Sequence, residues 1–460
     1  MGSIRPAAVA GAFYPAEPAQ LAGEIADLLD GVASFDPPLR FPKALVVPHA
    51  GYIYSGGVAA RAYDELAPGR GIVKRVILLG PTHRVSVRGL AVPTVASFAT
   101  PLGNVAVDQA AIRLIADLPQ VVASDAAHEF EHALEVQLPF LQKVLGEFSV
   151  VPLAVGQASA AEVVQVLERL WGGRETVVLI STDLSHFHAY DEARRIDRST
   201  MTRIVSLVPD ITHEEACGAT PLNGLITFAR ARRLSLRLLT ACNSGDTAGG
   251  KGQVVGYSSF ALYDGTSVAP AQAGPVLLAT ARGAIEHRLG LRASPPVTSE
   301  PAWLRHTAAS FITLTKDGQL RGCIGSLLAT RTLGVDVAEN ALAAAFLDPR
   351  FKQVDVREWP QVSVEVSVLS RPKSIRFADE DDLMAQIVPN EDGLILECDG
   401  RRGTFLPQVW ESLPDKARFM EELKRKAQLP PDTRLARCKV MRYRVTKWKE
   451  GEAVGVAGAA

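Results

Sequence analysis

Three segments of the 460-residue chain end short aliphatic runs with ionisable side chains. His49 follows VVP in VPHAGYIYSGG, His83 follows RVILLG in LGPTHR, and Asp183 and His186 follow TVVLIS in STDLSHFH. Imidazoles on rigid strand ends suit metal binding, because one neutral ring nitrogen acts as ligand while an acceptor behind the ring fixes the other. Two histidines need at least one more donor. Cys217, in EEACGATPLNG, stands just before a helix opened by Pro221, where the helix N-terminus favours the thiolate that a metal needs. Glu214 and Glu215 are the carboxylate alternatives. Taken singly, a strand-end histidine is more often a hydrogen-bonded surface group and a cysteine a buried inert thiol, so the weight rests on their convergence. In any reaction the metal acts as Lewis acid or redox centre and His186 as general acid or base. Asp183 then orients His186 or caps the following turn.

The elements that must position these groups alternate along the first part of the chain. Ala44 to Pro48, Arg75 to Leu79, Val150 to Val155 and Thr176 to Ile180 are short, nearly continuous apolar runs, the pattern of buried parallel strands. Between them, 20–29, 131–145, 162–170, 192–207 and 222–233 have helical periodicity. An α/β domain with a mostly parallel sheet flanked by helices follows. Ligands of such sheets sit beyond the carboxyl ends of the strands, where all three segments deliver their polar groups.

Two short motifs invite other chemistry. His128 to His132 reads HEFEH, a formal HExxH zinc-peptidase match, but a metzincin extension would need Gly and His where Glu135 and Leu138 stand. A zinc peptidase stays as a minor alternative. Gly245 to Lys251 fits GxxxxGK, yet Gly252 replaces the Ser or Thr and the following VVGYSSFAL reads as strand, so no helix N-terminus awaits a phosphate. The better reading is a Gly-rich loop beside the site, carrying Ser244 and Asp246.

VAGAFYP, VPHAGYIYSG, LGPTHR, EHALEVQLPFLQ, STDLSH, ACGATPL and VGYSSFAL run in that order over about residues 5 to 263 and resemble the Memo family, system protein B of AmmeMemoRadiSam gene sets. That family is similar in fold to the class III extradiol dioxygenases, non-haem iron enzymes. The resemblance implies a metal site at His49, His83 and Cys217 with Asp183 and His186 beside it. By the resemblance Glu131, His132 and Glu135 line or brace the pocket, and Tyr52, Ser244 and Asp246 are further pocket-lining candidates. The extradiol enzymes bind Fe(II) through two histidines and a carboxylate, whereas here a cysteine takes the carboxylate's place. The implied cofactor is Fe(II) or Cu, with Zn as a further option, and ring cleavage does not carry over.

The second part reads as α+β. Helical patterns at 271–289, 333–347 and 416–427 mix with strand-like runs at 311–315, 362–369 and 393–397. LRGCIGS, AFLDPRF, GLILE and GTFLPQVW resemble the AMMECR family, system protein A of the same gene sets, over about residues 272 to 450. Gly322 and Gly325 suggest a tight turn, Cys323 a shielded thiol and Arg321 an anion contact. The expected organisation is a Memo-like metal domain over 1–263, a linker over 264–274 and an AMMECR-like domain over 275–460.

Composition narrows the function classes. With 49 basic and 50 acidic residues, net −4 up to Asp264 and +3 after it, bulk electrostatic nucleic-acid binding is disfavoured. No apolar run reaches membrane-spanning length and the N-terminus lacks a signal-like h-region. Five cysteines without CxxC are too sparse for a disulfide framework, and a reducing, cytoplasmic setting fits. The leading expectation is a metal-dependent oxidoreductase acting on an unidentified small molecule with a radical SAM protein partner, its AMMECR-like domain supplying substrate contacts or a lid. The alternative is a non-catalytic metal-binding adaptor that recognises a peptide or protein.

Overall fold

The computed structural model describes residues 3–32, 39–264 and 270–451. Two units result, one of Met1–Val32 with Phe41–Ser267 and one of Ala33–Arg40 with Val268–Ala460.

The first unit is built on a large, mainly parallel sheet. Arg75–Pro81 lies between Ser149–Val155 and Thr176–Ser181, parallel to both. Thr176–Ser181 pairs in parallel with Ala44–Val47, and Val254–Tyr263 joins antiparallel to Ala44–Val47 and to Ser235–Asn243. The central strands are buried on both faces, Ile77 and Val178 among them, which is why they read as unbroken apolar runs. Helices Tyr52–Leu66, Leu138–Leu145, Ala160–Leu170 and Ala219–Ala231 alternate with these strands along the chain. The last two approach closely at Gly224, where a Cβ would lie 2.3 Å from Val163. Both helices therefore keep their register against one another.

One expected helix is broken in a way that matters for the site. The stretch 131–145 folds as His132–Glu135 and Leu138–Leu145, with Pro139 in the first turn of the second piece. A proline inside a continuous helix would clash with the carbonyl four residues earlier, so the chain restarts instead. Glu131 is extended and caps the first piece, its side chain accepting from Ala133 N at 2.9 Å. His128 belongs to a separate short helix, Ala126–Glu129. The two histidines of HEFEH are therefore not one helical turn apart.

The second unit has two antiparallel four-stranded sheets. Gln319–Gly325, Ser310–Lys316, Val362–Leu369 and Val445–Lys449 form one, Lys373–Ser374, Lys439–Tyr443, Gly393–Cys398 and Arg401–Phe405 the other. Helix Pro270–Arg288 starts inside the expected linker, so 270–274 are helical, while 265–269 lie outside the described residues. The LRGCIG segment is strand rather than turn. Its glycines are required by close packing: a Cβ at Gly322 would lie 2.2 Å from Ala344 O, and one at Gly325 2.2 Å from the Phe311 ring. Cys398 and Cys438 form a disulfide across 40 residues, a single bond and not a framework, in a chain expected to sit in a reducing setting. The pairing of Gly393–Cys398 with Lys439–Tyr443 brings the two thiols together.

Candidate metal centre

His49, His83 and His132 meet beyond the carboxyl ends of the parallel strands. Each offers one ligand atom, and these atoms all lie within 4.8 Å of one another. Ring centroids are 5.3 Å apart for His49–His83 and His49–His132, and 4.6 Å for His83–His132. His49 and His83 come from the strand ends named by the sequence. His132, expected only to brace the pocket, supplies the third imidazole because it opens the short helix behind the capping Glu131.

Hydrogen bonding decides which nitrogen each ring presents. Tyr63 Oη donates to Gln137 Oε1 at 2.6 Å, so Gln137 Nε2 faces Pro48 O and Ser181 Oγ, donating to each at 2.9 Å. Ser181 Oγ spends its own proton on Ala133 O at 2.6 Å. It can only accept from the His49 ring, whose Nδ1 lies 2.9 Å away, and Nδ1 must carry the proton. On the other side, Glu131 Oε1 lies 2.9 Å from His83 Nδ1 and 3.3 Å from His132 Nδ1, while Oε2 accepts from His83 N at 2.6 Å. A carboxylate in that place makes both Nδ1 atoms donors. In the neutral form of each ring the lone pair then falls on Nε2. Burial opposes the Glu131 charge, but hydrogen bonds from His132, His83 and Ala133 outweigh it and hold this carboxyl far below the usual range. For His49, burial and then the neighbouring His132 and His83 rings hold the imidazole well below its ordinary value.

Cys217 stands outside the set that meets within 4.8 Å, with Sγ 3.3 Å from His49 Nε2 and accepting from Asp183 N at 3.3 Å. The helix N-terminus was expected to favour thiolate here. Burial, reinforced by the Asp183 carboxylate, instead pushes this thiol up to about 12. The thiol has two acceptors in reach, His49 Nε2 at 3.3 Å and Asp183 O at 3.8 Å. Asp183 also departs from its expected role: among the described residues its carboxylate makes no hydrogen bond to His186 and accepts instead from His49 N at 2.7 Å. Burial raises its pKa, against that bond and the nearby imidazoles. His186 is half-buried on a three-residue strand and stacks edge-on with Phe187 at 5.7 Å. Phe187 has φ 62°, a left-handed conformation costly for a bulky residue, at the irregularity between His186 and His188.

Other expected pocket residues do structural work. Tyr52 is 3% exposed and donates to Val136 O at 2.8 Å, so it belongs to the core rather than the pocket wall. Glu135 is fully buried and gathers Arg5, Ala8 N, Val9 N and the Tyr14 hydroxyl, tying the N-terminal segment down. Ser244 Oγ accepts from Val255 N, and Asp246 accepts from Tyr190 Oη and Asn243 N, so both fasten the Gly-rich loop. His128 bonds Ala91 O at 3.0 Å and burial pushes its imidazole down to about 4. Its ring is committed away from His132, which removes the HExxH arrangement. In the second unit, Arg321 pairs bidentately with Glu358 at 2.6 and 3.2 Å rather than standing ready for an anion. Cys323 N donates to Asp348 at 2.9 Å.

A cleft of about 460 Å³ opens onto the centre through His83 and Cys217. Sequence reasoning missed the Ser181, Gln137 and Tyr63 relay and the full role of His132. The visible signal was a glutamate and a histidine side by side at the start of a helical pattern.

Residues 5–261 match the family model described as Memo-like protein, and residues 278–448 match that described as AMMECR1. A MEMO1 family protein of Sulfolobus acidocaldarius is 35% identical over 288 residues, covering 57% of this chain and 100% of the relative. One from Methanopyrus kandleri is 36% identical over 291 residues, covering 57% and 99%. Among solved structures, the uncharacterized protein PH0010 from Pyrococcus horikoshii is 32% identical with TM-score 0.35, over 40% of this chain and 93% of that one.

Proposed function

We propose, from the premise that this chain belongs to the Memo-like protein family and carries an AMMECR1 domain after it, that the first unit is a metal-dependent enzyme. Its metal is held by the Nε2 atoms of His49, His83 and His132, with Cys217 placed to join them. The observation that carries this reading is the convergence of three imidazoles, His49 buried, His132 half-buried and His83 exposed, each with Nδ1 beside an acceptor behind the ring. Ring nitrogens gathered in this way are what a positive ion would share. The donor set suits iron, copper or zinc, imidazole being a good ligand for all three, and a thiol would favour the softer ions. A bound ion would supply Lewis acidity, and iron or copper a redox couple.

The chain's own groups have defined tasks. Glu131 and Ser181 hold the three imidazoles in the Nδ1–H form. Cys217 Sγ, 3.3 Å from His49 Nε2 and 3.8 Å from Asp183 O, can turn its proton to that carbonyl and leave the ring nitrogen free as a ligand. His186, at the edge of the centre, is the group able to give or take a proton at a ring nitrogen, and buried Asp183 fixes the His49 backbone. The carboxylate of this centre stands behind the imidazoles rather than among the ligands, which separates it from the two-histidine, one-carboxylate face of extradiol enzymes. We further propose that the chain works with a radical SAM protein, on the resemblance of its two halves to proteins of one gene set. Copurification of the two when coexpressed checks that.

The metal reading is tested by anaerobic purification, elemental analysis and X-ray absorption. About one equivalent of iron, copper or zinc with a nitrogen-rich shell is expected. Metal below about a tenth of an equivalent after reconstitution would overturn it.

A further inference from the structure

The cleft beside the centre has a chemical character of its own. Its walls come from the loops after strands Arg75–Pro81 and Ser149–Val155 and from the segment before and at the start of helix Ala219–Ala231. They include Arg84, Gln157, His213 and Thr220 together with His83 and Cys217, and no aspartate or glutamate. Arg84 is exposed and, among the described residues, has neither an ion-pair nor a hydrogen-bond partner. Arg84 supplies the positive charge of the lining, while the Glu131 carboxylate is taken up by His83 N and Nδ1 behind it. A second basic hollow, on helix Tyr190–Val205, differs in holding a carboxylate, Asp191, in its lining and in having two of its four arginines paired, Arg195 with Glu192 and Arg203 with Asp210 and Glu215.

The floor is preformed. Gln157 N donates to Val87 O at 2.7 Å, Gly89 N to Gln157 O at 2.8 Å and Gly156 N to Gly89 O at 3.0 Å, zipping the two strand-end loops together. A Cβ at Gly156 would lie 2.1 Å from Val87 O, so only glycine permits this approach. A volume of about 460 Å³ accepts a small molecule but not a folded partner.

We propose that this cleft seats an anionic group of the substrate, a carboxylate or phosphate ester, on the Arg84 guanidinium, while the rest of the molecule reaches His83 and Cys217. The proposal deepens the metal-enzyme reading and rests on it for the word substrate. The planar guanidinium matches carboxylate and phosphate geometry with two parallel N–H donors. The remaining polar walls, His213 with Nε2 3.1 Å from Thr220 Oγ1 and the side chain of Gln157, suit oxygen-rich small molecules.

Calorimetric titration of the full chain, metal-loaded and metal-stripped, with succinate, inorganic phosphate and neutral succinamide tests this. Succinate or phosphate should bind and succinamide should not, in both metal states. Arg84→Gln should weaken the anion by about 10-fold or more and Arg84→Lys by less, reflecting loss of the bidentate contact. Unchanged binding in Arg84→Gln, equal binding of succinamide, or no anion binding in either metal state overturns the proposal. Metal content is measured on the same samples. A chain that binds anions through Arg84 but holds no metal overturns the metal reading while leaving the cleft assignment standing.

Discussion

The carboxyl edge of the first unit's sheet and the Gln319–Gly325 strand of the second carry similar residue types in opposite states. In the strand, Arg321 is forked onto Glu358, Cys323 N–H is taken by Asp348, Cys323 O accepts from Arg350, and Thr313 donates to Cys323 Sγ. Apart from Arg321 Nη1, the polar groups there close on one another. At the sheet edge the satisfied atoms are the outer ones, the Nδ1 positions, and the inner Nε2 atoms face each other. Arginine, cysteine or histidine at a distinctive motif therefore does not mark a site by itself. What marks it is bonding capacity that the protein has arranged but not used.

The comparison breaks most readily at the third imidazole. His132→Ala should lower metal affinity by more than about 100-fold, a larger loss than removing a group behind the ligands typically causes. Cys217→Ser should retain more metal than His132→Ala, and the reverse order by elemental analysis would return the third ligand to the thiol. Glu131→Gln keeps size but removes the charge that two Nδ1–H groups share. It should cost about 10–100-fold in affinity, read by chelator competition, with the fold retained by circular dichroism.

The pH response sharpens the contrast at the next level. His49 and His128 both fold with pKa below the ordinary 6.5, His128 near 4, so the folded state holds them neutral and the unfolded state takes up protons first. Their contribution is full above about 6.5 and lost as pH falls, at up to about 1.4 kcal/mol per pH unit for each group. Denaturant titrations of metal-free protein between pH 7 and 4 should show this decline, and a shallower one in His128→Leu. An unchanged slope would mean that His128 is not neutral when folded. The smallest effect belongs to the second unit. Arg321→Ala should cost about 1–3 kcal/mol of stability through the stranded Glu358 and leave metal content unaltered. A change in metal content would erase the distinction between the two regions.

Much of the sheet was legible because buried parallel strands write themselves as aliphatic runs: Arg75 to Leu79 and Thr176 to Ile180 are found within two residues of their observed ends. The rule that ligands gather at strand carboxyl ends then points to His49 and His83 from their positions in the sequence. Three features escaped for one physical reason, that they depend on contacts distant in sequence. The His49 tautomer is set by Ser181, Gln137 and Tyr63, none within ten residues of it. Cys217 sits at a helix start, but burial outweighs the local dipole. The LRGCIG glycines look like a turn until Ala344 and Phe311 are seen pressing on them. Two local clues were left unread: Glu131 beside His132 at the start of the pattern, and Pro139, which requires the 131–145 stretch to restart as a second helix.

The Glu135 knot carries a consequence for how the centre comes into being. Arg5 clamps Glu135 directly and also holds the carbonyls of His128 and Glu131, so the segment that aims His132 is pinned by residues about 130 positions earlier. During synthesis the latch emerges long before its keeper, and the sheet edge at Ala44–Val47 waits longer still for Val254–Tyr263. A growing chain therefore exposes His49 and His83 well before their third partner can be aimed. The three imidazoles can converge only after Glu135 has emerged and Arg5 has closed on it, so the centre is assembled by contacts made late relative to its first two residues.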